Sequence, residues 1–292
     1  MGVKTKFSAR EIQQMINKYN LGQYKFHSYF KEGVVHTNVL VVTSKGKVVL
    51  RYYEHRSREY VLFEMEVLNY LYHHAYPTPK LFKNHKDEFI SWYKEKPFAI
   101  FEFVPGKHIK KLNKKQQTEL IKNLALLNKL LKSYKPKYFH VREGHNKAYV
   151  KSLLRQPMEN QALRAERMNY LKHQLRLVSF SPSLPKGVVH ADYNSNNILF
   201  QGDKLVAVLD FDDANYNYLI YDVARMLYHW VYHSGKPVFN FKKAKILIQE
   251  YNKFRRLSLL EQKHLFDAFK MVILVFLVRG SAETLARLQS GD

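Results

Sequence analysis

A carboxylate, an amide and a second carboxylate recur at short spacing between Val188 and Ala214, in the segment VVHADYNSNNILFQGDKLVAVLDFDDA. It holds His190-x-Asp192, then Asn197 five residues after that Asp, then Asp210 thirteen residues further on. Phosphoryl transfer from ATP requires such a set. One carboxylate must orient an incoming hydroxyl and accept its proton, and hard oxygen ligands must hold magnesium on the phosphates. Asp192, on a loop after an apolar strand, suits the first role. Asn197, through its amide oxygen, and Asp210 suit the second, each beside a short apolar run. Asp and Asn are also ordinary turn residues, and Asp212 and Asp213 could simply solvate a turn. Turn chemistry alone does not require four residues at set spacings, with the last Asp inside an otherwise apolar stretch.

The elements that must position these groups fall into two halves. In the first, Ser8 and Glu11 have capping-box spacing ahead of Ile12, Met15 and Ile16, and Gly22 stands as the expected C-cap. Two β-rich runs, His36 to Thr43 and Lys47 to Tyr53, are joined by the hairpin-type turn Ser44-Lys45-Gly46. A helical stretch from Ser57 to His74 ends at Pro77 and Pro79, and a strand-like run from Pro97 to Val104 ends at Pro105-Gly106. The second half is mainly helical, with long patterns at Lys114 to Ser133 and Tyr149 to Val178 and again from Tyr221 onward. Short strands at Gly187 to His190, Ile198 to Gln201 and Leu205 to Asp210 interrupt it. Ser258 and Glu261 repeat the capping-box spacing. The class expected is α+β: a small antiparallel sheet with one inserted helix, then a helical lobe, with the ligand cleft that two lobes suggest.

Composition bounds the rest. At 292 residues, 46% hydrophobic and 14% aromatic, the chain can bury a core in one or two lobes. The longest apolar run, Met271 to Val278, is too short to span a bilayer, and the first residues lack a signal-peptide stretch. Lys6 stands where a myristoylation motif after Gly2 wants Ser or Thr. With no cysteine, disulfides, thiolate nucleophiles and Cys-ligated zinc are excluded. A cytoplasmic protein without a membrane partner is the expectation. The 48 Lys and Arg against 25 Asp and Glu give a net charge of +23, which attracts anions generally. The short clusters Lys110–Lys115, Lys132–Lys137, Lys242–Lys245 and Arg255–Arg256 read as solvated faces, and nucleic acid is not the expected partner.

His190-Ala191-Asp192-Tyr193-Asn194-Ser195-Asn196-Asn197 followed by Leu209-Asp210-Phe211-Asp212 resembles the catalytic signature of the aminoglycoside phosphotransferase and choline kinase superfamily. The resemblance implies a two-lobed protein-kinase-like fold, with 1–104 as the nucleotide-binding lobe and 105–292 as the catalytic and acceptor lobe. It implies ATP and Mg2+ as cofactors, Asp192 as the catalytic Asp, and Asn197 and Asp210 as metal ligands. His190 would support the catalytic loop, Asp212 would assist the metal or hold the loop, and Asp222 would cap the next helix. Within the superfamily, Tyr19 to Gly22, Glu32 to Asn38, Val49 to Glu54 and Tyr251 to Leu260 resemble bacterial homoserine kinases of this fold.

Two departures stand out. Arg51 occupies the strand position of the usual phosphate-binding Lys, with Glu64 as its expected helix partner and Glu66 second. The nucleotide loop has only Gly33, so Thr37 and Asn38 are its candidate phosphate contacts, and Glu102 to Val104 fall at the adenine-binding hinge. The implied reaction is phosphorylation of a hydroxyl on a small molecule, homoserine first, with aminoglycosides, choline, amino sugars and methylthioribose as other acceptors. Asn215, Tyr216 and Tyr218 could line the acceptor site. An inactive kinase-fold protein binding nucleic acid or an anionic surface is the reading from another class. The sequence is silent on oligomeric state.

Overall fold

A computed structural model of the chain describes residues 5–30, 35–142, 144–155, 161–232 and 239–290. They cluster into two compact units. The first takes Met1–Ile109, Pro136–Val141 and Ile198–Asp212; the second takes Lys110–Lys135, Arg142–Asn197 and Asp213–Asp292.

The first unit opens with α1 (Ala9–Ile16), and its capping box forms: the Glu11 N–H donates to Ser8 Oγ, and the Ser8 N–H donates to Glu11 Oε2. The helix stops early, with Asn17 as its cap. Gly22 therefore does not close it. That glycine takes a left-handed backbone (φ 79°), and a Cβ there would lie 2.3 Å from Ser44 Oγ, so it serves a close approach to the hairpin turn. The sheet comprises β1 (Tyr24–Tyr29), β2 (Thr37–Thr43), β3 (Gly46–Tyr52), β4 (Leu81–Phe82), β5 (Ile90–Tyr93) and β6 (Lys96–Glu102). Its order is β1-β2-β3-β6-β4, with β5 also on β6, and every pairing is antiparallel. Thr43 faces Gly46 across the β2–β3 hairpin, leaving Ser44-Lys45 as a two-residue turn.

Alternation along the strands sets the faces. Val39, Val41, Val48, Leu50 and Tyr52 are buried in one cluster with Ile12, Met15 and Ile16 of α1. Arg51, between Leu50 and Tyr52, therefore projects from the opposite face. The inserted helix α2 (Arg58–His73), capped by Ser57, buries Val61, Phe63, Met65, Val67, Leu68 and Leu71, together with Glu64.

The hairpin β8 (Ile198–Gln201) and β9 (Lys204–Val208) also packs with this unit. Lys107 and Phe200 exchange two backbone hydrogen bonds, at 2.9 and 3.0 Å, and the Val208 N–H donates to Pro77 O at 2.7 Å. Sequence position alone groups the hairpin with the residues after 105; its contacts group it with those before 110.

The second unit is helical: α3 (Lys114–Leu130), α4 (Lys147–Leu154), α5 (Gln161–Leu177), α6 (Ile220–Leu227), α7 (Phe241–Phe254) and α8 (Leu259–Ser290), with β7 (Lys186–Val189) paired antiparallel to β10 (Asn215–Tyr218). The single helical pattern expected from Tyr149 to Val178 is two helices. Arg155 caps α4, and residues 156–160, Pro157 among them, lie outside the described residues. Every residue of α6 is buried, and the helix runs on into a π-helical turn, Tyr228–Tyr232. The second capping box also forms, between Ser258 and Glu261.

β7 crosses the end of α3 so closely that a Cβ on Gly187 would lie 2.1 Å from Leu131 O. Gly187→Ala is expected to cost about 1–3 kcal/mol of stability. The measurement is the urea midpoint; a midpoint equal to the parent's would mean the two backbones separate freely.

Candidate active site

In the second unit the sequence puts Asp192 on the turn after β7, and the structure shows how that turn is held. Asp222, buried in α6, accepts the N–H groups of His190 (2.9 Å) and Ala191 (2.8 Å) on its two oxygens. It does not cap the helix it opens: Leu219 is the cap residue, and no side chain caps there. Ala191 is in the left-handed region (φ 64°), an uncommon conformation for a residue with a Cβ. His190 is buried, and its Nδ1 accepts the Asp192 N–H at 3.3 Å.

Asp192 is gripped at both oxygens. Arg225 Nη2 donates to Oδ1 at 2.6 Å, and Asn197 Nδ2 donates to Oδ2 at 2.8 Å and to the Asp192 carbonyl at 3.0 Å. The Asp192 side chain remains 31% exposed while that of Arg225 is only 5% exposed. Burial raises the Asp192 pKa; Arg225 opposes the rise and Asp213 adds to it. Arg225 lies with its guanidinium 4.5 Å from the Phe276 ring, and its Nε and Nη1 have no partner among the described residues. Further polar residues form a chain in the same unit. Arg279 forks onto Asp213 and donates from Nε to Tyr149 Oη at 2.8 Å. Tyr149 and Tyr221 flank the buried His145, at 5.1 and 5.5 Å between ring centres.

In the first unit, Arg51 lies on the sheet face opposite α1. Its Nη1 donates to Glu64 Oε1 at 3.0 Å and Asp210 Oδ1 at 3.2 Å, and its Nε donates to Asn38 Oδ1 at 3.1 Å. The expected Arg51–Glu64 pair is thus formed, and Asn38 faces Arg51 directly in the strand register. Burial alone would lower the pKa of Arg51, but Asp210 and Glu64 outweigh it and hold the guanidinium above its ordinary range. Asp210 also adopts a left-handed backbone (φ 63°), and its side chain is 42% exposed.

Asp212 is tied differently. Arg56 donates to both of its oxygens, His36 Nε2 lies 3.0 Å from Oδ1, and Tyr60 donates to its carbonyl. Burial would raise its pKa; His36 and Arg56 instead hold it well below the carboxylate range. Thr37 is fully buried and donates its hydroxyl to Glu54 at 2.6 Å. Glu102 accepts the Lys80 N–H, Val104 follows β6, and Gly33 lies outside the described residues. Asn215 to Tyr218 form β10, with Asn215 buried.

Asn197 in the second unit and Asp210 in the first each offer an oxygen donor of the kind a hard divalent cation takes. Asp212 suits it less, with both oxygens on cations. Sequence reasoning missed Arg225, Arg56, His36 and the Arg279–Asp213 fork. Arg225 carried one usable signal, a cation in the apolar run Val223 to Leu227.

A small antiparallel sheet with an Arg–Glu pair reaching Asp210, and a helical unit presenting a braced Asp–Asn loop, define a kinase-like phosphotransferase. Residues 28–244 match the model of the phosphotransferase enzyme family, and the chain belongs to that family. Its enzymes transfer a phosphoryl group from ATP, with magnesium, to a hydroxyl acceptor. A homoserine kinase of Bradyrhizobium diazoefficiens is 28% identical over 90% of this chain and 80% of its own length. One from Caulobacter vibrioides is 28% identical over 91% and 84%. Among solved structures, amicoumacin kinase in complex with AMP-PNP, Ca2+ and Ami matches with a TM-score of 0.74 at 17% identity, over 97% of this chain and 92% of that one. Spectinomycin phosphotransferase in complex with ADP and spectinomycin matches at 0.71 and 12%, over 97% and 90%. These two likenesses are of fold.

Two outcomes follow from the second unit. Arg225→Met should lower kcat by about 10–100-fold through misplacement of Asp192, with the KM for ATP little changed and part of the loss recovered in Arg225→Lys. Steady-state kinetics decide it, and equal turnover in all three proteins would remove Arg225 from the site. Burial holds the His145 pKa down to about 4 from an ordinary 6.5. As pH falls the unfolded chain takes this proton first, so the contribution of His145 to stability is flat above about 6.5 and falls by about 3 kcal/mol on the way to 4. Urea unfolding of parent and His145→Phe across that range should show the parent losing more; parallel curves would contradict the assignment.

Proposed function

We propose that this phosphotransferase acts on homoserine, converting it with ATP to O-phosphohomoserine and ADP. The relatives named homoserine kinase, matched over nine-tenths of the chain, support the acceptor. The observation that carries the mechanism is the fixed carboxylate of Asp192, held at one oxygen by Arg225 and at the other by Asn197 while staying partly exposed.

In this reading the homoserine hydroxyl donates a hydrogen bond to Asp192, which aims its oxygen in line at the γ-phosphorus. The new P–O bond forms as the bond from that phosphorus to the β–γ bridging oxygen breaks. ADP keeps the electron pair, and the hydroxyl proton passes to Asp192 and then to solvent. Asn197 and Asp210 would hold magnesium, which supplies charge neutralisation on the phosphates. Arg51, oriented by Glu64 and Asn38, stands in for the usual strand Lys as the phosphate-facing cation. Thr37 would act through its backbone N–H, since its hydroxyl is given to Glu54. Glu102 and Val104 would offer backbone groups to adenine, His190 supports the loop, and Asp212 anchors its own segment. In this reading residues 1–104 serve nucleotide binding, and 105–292 carry the catalytic loop, metal site and acceptor pocket, in a cytoplasmic enzyme.

The test is ADP release with magnesium across homoserine, choline, methylthioribose, amino sugars and aminoglycosides, with Asp192→Asn alongside. Turnover with homoserine that is lost in the variant is the expected result. Turnover with another acceptor alone would keep the class and replace the substrate; absence of ATP binding would overturn the proposal.

A further inference from the structure

Outside the site, α4 and α5 border an open cavity of about 660 Å³ in the second unit. Its walls carry two cationic stripes at helical period: Lys147, Lys151 and Arg155 on α4, and Lys172 and Arg176 on α5. The buried side chains of Leu154 and Leu175 also line it. Among the described residues no carboxylate lines the cavity, and none of the five cations pairs with one.

We propose that this cavity binds a small molecule carrying several phosphate or carboxylate groups. Like charges at i,i+4 destabilise each helix, and here both stripes, largely exposed to solvent, border one concave volume. With 48 Lys and Arg to 25 Asp and Glu many cations must lack a partner, but the excess does not dictate that five of them share a cavity. A concave site lined by one sign of charge concentrates the opposite ion. The volume lies within the range of small-ligand pockets, about 300–1,000 Å³. A nucleic acid fits less well: α4 has 8 residues, about 12 Å of helix, and among the described residues no aromatic side chain lines the cavity for bases to stack on. The proposal stands apart from the choice of acceptor and from the kinase chemistry.

Inorganic tripolyphosphate is the probe. Its binding is measured by calorimetry on the full chain in magnesium-free buffer at about 0.15 M salt, where any binding at the nucleotide site would not respond to changes in the cavity. One saturable site is expected, weakened about tenfold or more when Lys151→Gln, Arg155→Gln and Arg176→Gln are combined. The combined changes Lys110→Gln, Lys111→Gln and Lys114→Gln, at exposed positions away from the cavity, should leave it unchanged. The cavity variant should also unfold at higher urea than the parent, because repulsion is relieved, which separates lost binding from lost structure. The single change Arg176→Gln provides a milder case with a smaller loss of the same sign. Absence of saturable binding would overturn the proposal, as would equal loss in both triple variants. So would tighter binding of an oligonucleotide, with affinity growing with its length and lost in the cavity variant, which would assign the site to nucleic acid.

Discussion

One buried carboxylate fixes the loop that carries Asp192. Asp222 accepts two successive peptide N–H groups, those of His190 and Ala191, and the chain can then turn through a left-handed residue into Asp192. A carboxylate can serve both donors at once because both of its oxygens are acceptors; an amide would meet one of them with an N–H group. Burial raises the Asp222 pKa, and His190 with the two backbone donors works against that rise. The same helix carries Arg225 one turn later, so a single rigid element orients both the loop backbone and the Asp192 side chain. Asn197 closes the arrangement through the Asp192 carbonyl and carboxylate.

The first unit meets a comparable demand with charge. Arg51 takes up Glu64 and Asp210, while Arg56 and His36 take up Asp212, so each carboxylate of the Asp210–Asp212 segment is met by a cation. Ion pairs of this kind gain little net stability, because desolvation offsets attraction. Their effect is positional: Arg51, 14% exposed, has few alternatives to the geometry its partners impose. In a chain of net charge +23, acids are scarce, and several of them are gathered at these motif positions.

Much of this was legible in the sequence because it rests on local rules. The two capping boxes, the Ser44-Lys45 hairpin, α2 and the three short strands near Asp192 follow from spacing and alternation. The Arg51–Glu64 pair was reachable because one residue sits on a strand and the other on the next helix. What escaped depends on tertiary neighbours. β1 carries Lys25 and His27 on a half-covered edge and lacks clean alternation, and β4 is two residues long. Asp222 has a cap's position in the sequence but is drawn instead to N–H donors 31 and 32 residues earlier. Arg56 and His36 meet Asp212 across separations of more than 150 residues, beyond any periodic signal.

Ala191 and Asp210 share a backbone conformation that glycine adopts more readily. A lineage selected for thermal robustness alone would gain by drifting to glycine at both places. At Ala191 that drift would remove only a methyl group; at Asp210 it would erase a carboxylate. The two positions therefore offer a record of what a lineage has been selected for. A descendant that kept the fold but no longer transferred phosphate would be free to change Asp210 first, and glycine there would mark the loss before the rest of the chain had diverged.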